Sequence, residues 1–300
     1  MRSIVTILCV CIIAVTAHAE PVTKPIKLFN GKNLDNFYSY LRGVGKNKDE
    51  KGVFTVQDGM IRVSGELFGA ITTEKEYENY HLIVEFKWGT KTWPPREKAT
   101  MDSGILLHCV GEDGGSSYDK NGKPSGPWME SIECQMIEGG TGDFILVGGK
   151  GKPKVTATVK QIGKQWYFDP KGEAKEFTGG RINWYGRDPE WKDVKGFRGK
   201  QDVEKPAGEW NRLECICDGD KITNILNGVV VNACTKASHT KGKLQFQSEG
   251  AELFFKTIDL MPVNAKGASR PVEEQQPERR TLLGGRRPLQ RVMDVLRIRR

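Results

Sequence analysis

Apolar and polar residues alternate with a period of two along most of this chain. From His81 to Trp88, Leu82, Val84, Phe86 and Trp88 share one side, and Ile83, Glu85 and Lys87 share the other. Ile61–Val63, Gly104–Val110, Ser131–Met136, Arg212–Cys217, Lys221–Leu226, Lys243–Gln247 and Glu252–Leu260 behave alike. A period of two puts successive side chains on opposite faces of a pleated strand, so these short runs, bounded by Gly, Asn and Asp, predict antiparallel strands. Asn227-Gly228 lies between two such runs and predicts a tight hairpin. Asp58-Gly59 and Asp218-Gly219-Asp220 mark further turns. No long amphipathic helix precedes residue 264, and no repeat is visible. The pattern predicts an all-β, two-sheet antiparallel sandwich or jelly roll. Segments 89–101, 111–127 and 148–206 are rich in Gly, Pro and Lys and read as long loops, which in a sandwich rim one end or face.

Both ends depart from this pattern. Met1-Arg2, an apolar run from Ile4 to Val15, and Ala17-His18-Ala19 describe a secretory signal peptide cleaved after Ala19. The run is short for a membrane span and no later segment is apolar enough, so no transmembrane segment is expected and the protein should be secreted or periplasmic. Beyond Pro262 the composition shifts. The expected division is a signal peptide over 1–19, one β domain over 20–263 and a basic, disordered tail over 264–300. The net charge of +8 belongs mainly to that tail, which holds ten of the 46 Lys and Arg and four of the 38 Asp and Glu. The nearly neutral body carries no electrostatic footprint for nucleic acid. Cys109, Cys134, Cys215, Cys217 and Cys234 remain after cleavage, an odd number. They are expected to be buried thiols or to supply one disulfide.

Two strands carry the candidate chemistry: Asp102–Cys109 and Trp128–Glu138. On the second, Glu133 and Gln135 face away from Ile132, Cys134 and Met136. If Cys109 lies beside Cys134 on neighbouring strands, parity brings His108 to the face of Glu133 and Gln135. An imidazole and a carboxylate there could transfer protons, or hold a divalent metal ion as its ligands.

The chain resembles the 3-keto-disaccharide hydrolase family over roughly residues 26–262. The resemblance rests on Leu28-Phe29-Asn30-Gly31-Lys32-Asn33-Leu34, Glu85-Phe86-Lys87-Trp88, Trp93-Pro94-Pro95-Arg96 and Asp102-Ser103-Gly104-Ile105. His108-Cys109-Val110-Gly111, Ser131-Ile132-Glu133-Cys134-Gln135, Thr141-Gly142-Asp143-Phe144 and Leu244-Gln245-Phe246-Gln247-Ser248-Glu249-Gly250 extend it. It implies a concanavalin-A-like jelly roll that acts on a saccharide or glycoside oxidised at C3. His108 and Glu133 would be catalytic, or metal-holding, and Gln135, Trp93, Arg96, Asp102 and Trp128 would bind substrate. Two other readings stand beside it. A laminarinase-like retaining glycosidase would use Glu133 with Glu138, and a carbohydrate-binding module would need no base.

Overall fold

The computed structural model describes residues 19–263. The leader and tail expectations fall on 1–18 and 264–300, outside the described residues. Among the described residues there is no helix, and none is long and apolar enough to cross a membrane. The strands form a two-sheet antiparallel jelly-roll sandwich, as the alternation predicts. One sheet runs in the order Gly180–Ile182, Phe144–Val147, Glu130–Ile137, Asp102–Val110, Lys241–Ser248, Gly69–Thr73, Phe37–Leu41 and Gly45–Lys46. The other runs Val229–Cys234, Lys221–Leu226, Asn211–Asp218, Tyr80–Thr92, Ala251–Pro262, Met60–Val63 and Phe54–Gln57.

Alternation decides what lies between the sheets. Leu82, Val84, Phe86 and Trp88 of the second sheet face Ile105, Leu107, Ile132, Cys134, Leu244 and Phe246 of the first in one continuous core. Phe246 meets Phe255 edge-on across the sandwich, with ring centroids 5.6 Å apart. Burial of these apolar side chains is the main force holding the sheets together. All five described cysteines are buried and unpaired. Asn227 and Gly228 both take positive φ, 50° and 83°, as the type I′ hairpin requires.

Segment 148–206 is more ordered than its composition suggests. It carries a separate antiparallel sheet of Gln165–Phe168, Val155–Ile162 and Glu173–Phe177, and then the edge strand Gly180–Ile182 of the first sheet. Alternation was present in Val155, Ala157 and Val159, but the flanking glycines and lysines hid it.

Candidate functional site

The first sheet has a second, outward face, and strand register sets its rows. One row reads Arg181, Ile145, Glu133, Leu106, Gln245, Thr72 and Tyr38 across seven strands. The next contains Gln135, opposite Gly104, with Gln247 opposite Ala70. Although turned from the core, this face is covered: Glu133, Gln135 and Asp102 are 4%, 5% and 3% exposed, and Gln247 is wholly buried.

Gly104 makes the arrangement possible. A Cβ there would collide with Glu133 Oε1 and lie 2.7 Å from Gln247 Oε1. The missing side chain leaves a slot in which the carboxylate and the amide lie over bare backbone. Gln247 is near enough to favour the Glu133 carboxylate, yet its Nε2 and Oε1 form no hydrogen bond. A wholly buried amide whose polar atoms lie outside hydrogen-bond geometry is open to a group bound in the slot.

Around this slot lie three carboxyl groups. Asp102 accepts from Gln135 Nε2 at 2.5 Å and is ion-paired with Arg96. Glu249 closes the row that runs through Gln245 and Gln247, and it is part-buried. Burial pushes Glu133 up to about 8, with the charge of Asp102 adding to the effect and Arg181 opposing it. Burial also lifts Asp102 to about 6 against the pull of Arg96. Glu249 is raised as well, by burial and then by the charges of Asp102 and Glu133. Three carboxyls in one partly dehydrated site cannot all ionise, so near neutral pH some hold protons while another is free to accept one. Arg181, part-exposed, donates to Asp143 Oδ2 at 2.7 Å and brings positive charge toward Glu133.

His108 does not join this group. The expected pairing of Cys109 with Cys134 is replaced by Ile105 opposite Cys134 and Leu107 opposite Ile132. A bulge then interrupts the strand, and His108 adopts φ 55°. One inserted residue inverts the parity that follows it, so the imidazole turns into the sandwich. Its ring lies 5.5 Å from that of Tyr80, Nδ1 bonds the carbonyl of His239 at 2.8 Å, and Nε2 has no partner. Burial lowers its pKa to about 4, so it is neutral at physiological pH. The expected sharing of one face by His108 and Glu133 is thereby corrected, and with it their joint service as base pair or metal ligands. Among the described residues no three His, Cys, Asp or Glu are grouped to hold an ion.

The remaining expected residues divide. Gln135, Asp102 and Arg96 come together beside Glu133. Trp128 half-covers an outer-face cluster of Leu106, Cys109 and Met129, next to Glu133's row, and stacks on Phe68 with centroids 6.3 Å apart. Trp93 lies beside the turn at Gly250, with its Nε1 bonded to the carbonyl of Ser64 at 3.0 Å. Glu138 stands beyond its strand and accepts from the backbone amides of Met101 and Gly196, both at 2.9 Å. Its carboxylate is occupied in joining two rim loops, not paired with Glu133 as a retaining glycosidase requires. Sequence reasoning passed over Arg181, Gln247, Glu249 and Phe68. Parity with Gln245 pointed to Gln247 and Glu249, and Arg181 lay in the segment read as loop.

Comparison with known proteins adds a family. A model of the 3-keto-alpha-glucoside-1,2-lyase-like domain matches residues 24–261. A Parabacteroides distasonis protein described as a candidate glycosyl hydrolase is 21% identical, with 80% of this chain and 94% of that one covered and a TM-score of 0.44. A Bacillus licheniformis beta-glucanase is 9% identical, covering 79% and 98%, with a TM-score of 0.39. The carbohydrate-binding module CBM66 of Bacillus subtilis is 9% identical, covering 81% and 99%, with a TM-score of 0.33. No curated protein matches the chain significantly.

Proposed function

The chain belongs to the 3-keto-alpha-glucoside-1,2-lyase-like family, and from that premise we propose that it cleaves glycosides oxidised at C3, with Glu133 as the base. A ketone at C3 acidifies the C2 proton. Glu133 takes that proton, and the electron pair forms an enolate across C2 and C3. The enolate collapses, the C3 carbonyl returns, a C1–C2 double bond forms and the oxygen substituent leaves C1. Water can then add at C1 while C2 regains a proton, which makes the net reaction a hydrolysis. The Arg181 guanidinium supplies positive charge toward the enolate oxygen. Gln135 and Arg96 hold Asp102, and Trp128 offers an aromatic surface for a ring.

The observation that carries this reading is the Glu133 carboxyl buried over the bare backbone of Gly104 beside the Gln247 amide, where burial lifts its pKa to about 8. A base whose pKa lies near the working pH combines a useful ionised fraction with real proton-abstracting strength. An exported location, carried by the leader, suits an enzyme that meets glycosides outside the cytoplasm. The test is purified protein offered matched glucosides with and without the 3-keto group. The keto forms should be cleaved and the unoxidised forms left intact, and Glu133→Gln should lower turnover at least about a hundredfold. Equal cleavage of the unoxidised glycosides would overturn the proposal.

A further inference from the structure

Resting on that reading, we infer that Glu249 is the proton donor to the departing oxygen at C1, and that the departing group sits over Phe68 and Trp128. The elimination needs two proton transfers at different atoms. One carboxylate removes hydrogen from C2; a second group must protonate the leaving oxygen when its conjugate acid is weak. Asp102 is poorly suited to the second task, because Gln135 and Arg96 already engage it. Glu249 has no hydrogen bond to any described residue.

Register places Glu249 where a donor would be wanted. The pairing of Gln247 with Ala70 and Ser248 with Gly69 ends one residue short of Glu249 and of Phe68, which flank that last pair. Phe68 stacks on Trp128, which covers Leu106, directly opposite Glu133. Glu249 and the aromatic pair therefore lie on the side of the slot that the wholly buried Gln247 amide lines. The backbone beneath Glu249 is held on both sides. Gly250 N donates to the carbonyl of Gly65 at 3.1 Å, and Trp93 N to the carbonyl of Gly250 at 2.8 Å. Gly250 takes φ 81°, and a Cβ there would lie 2.8 Å from Arg96 Cγ, so the Arg96 stem packs against this turn. Burial, and then the charges of Asp102 and Glu133, raise the proton affinity of the Glu249 carboxyl, which suits it to donate.

In the step itself, the bond from C1 to oxygen breaks as the enolate electrons form the C1–C2 double bond. The Glu249 proton passes to the departing oxygen and leaves a carboxylate. In the hydration that follows, this carboxylate takes a proton from water as its oxygen adds to C1, so Glu249 ends as it began.

The experiment compares Glu249→Gln with wild type on methyl and 4-nitrophenyl 3-keto-glucosides, and measures exchange of the C2 hydrogen in heavy water separately. The variant should lose at least about a hundredfold on the methyl glycoside, whose leaving group needs a proton. It should lose less than about threefold on the nitrophenyl glycoside, whose leaving group does not. C2 exchange should persist, which also reports an intact fold. Equal losses on both substrates, or no loss on either, would overturn the assignment of Glu249. Cleavage by wild type with the substrate's own hydrogen retained at C2 of the product would instead overturn the role of Glu133, and the leaving-group comparison would still judge Glu249.

Discussion

Two sets of carboxylates in this sandwich differ in how completely the protein satisfies them. Glu138 accepts two backbone amides, and Asp143 takes the Trp184 amide, Arg181 and Arg187. Glu204 accepts from Trp88 Nε1 at 2.5 Å and Thr141 Oγ1 at 2.8 Å. Glu133, by contrast, has only the Gln247 amide beside it, and Glu249 accepts no hydrogen bond from a described residue. A saturated carboxylate is a strut, since every bond it accepts fixes a loop. An unsaturated one costs stability and is available to a substrate. The comparison teaches that burial alone does not separate the two kinds; the count of partners does.

The largest expected effect comes from moving the working carboxylate without touching it. Gly104→Ala puts a methyl group where Glu133 Oε1 lies. The obstructed atom is the far end of a flexible side chain, so the fold should yield cheaply. Turnover should nonetheless fall about a hundredfold, because a displacement of about 1 Å misaligns the base. Turnover kinetics and a melting curve on the same variant check both halves.

Removing a strut should do the reverse. Glu138→Ala orphans two backbone amides at about 1–3 kcal/mol each and should lower stability by about 2–6 kcal/mol in denaturant titration. Glu138→Gln, which keeps an acceptor oxygen, should leave turnover within a few-fold. A hundredfold loss in Glu138→Gln at unchanged stability would restore the pairing of Glu133 with Glu138. His108→Ala belongs with the struts as well. It opens a core cavity and should cost about 2–4 kcal/mol, comparable to other large-to-small core changes, while C2 exchange survives below the melting temperature.

The effect with the smallest change per step is a pH dependence of stability. Burial raises Glu204 from 4.5 to about 8. Its favourable contribution is therefore complete below pH 4.5 and is lost as pH rises through about 8. Glu204→Gln, which keeps the acceptor for Trp88, should flatten the fall in melting temperature over that range. The wild-type slope attributable to this group is at most about 1.4 kcal/mol per pH unit. Parallel pH profiles in wild type and variant would show that Glu204 does not titrate there.

The sandwich was legible because a period of two leaves little choice of face, and the Asn227-Gly228 turn could be read from two residues. Glu133, Gln135 and Asp102 were legible for the same reason. His108 was not, since an even step from Gly104 places it outward and only the bulge turns it in. That bulge puts a non-glycine residue at positive φ, which is uncommon and for which a lone histidine is only a weak signal. Arg181 was hidden because its three-residue strand follows two glycines in a segment of loop-like composition.

The most direct test of the division between struts and working carboxylates is C2 hydrogen exchange on a 3-keto-glucoside in heavy water, followed by NMR. It would be run on wild type, Glu133→Gln and Glu138→Gln. The account predicts rapid exchange in wild type and Glu138→Gln and at least about a hundredfold slower exchange in Glu133→Gln. Exchange that is unchanged in Glu133→Gln, or retention of the substrate's own C2 hydrogen in the product of a wild-type enzyme that cleaves it, would contradict it.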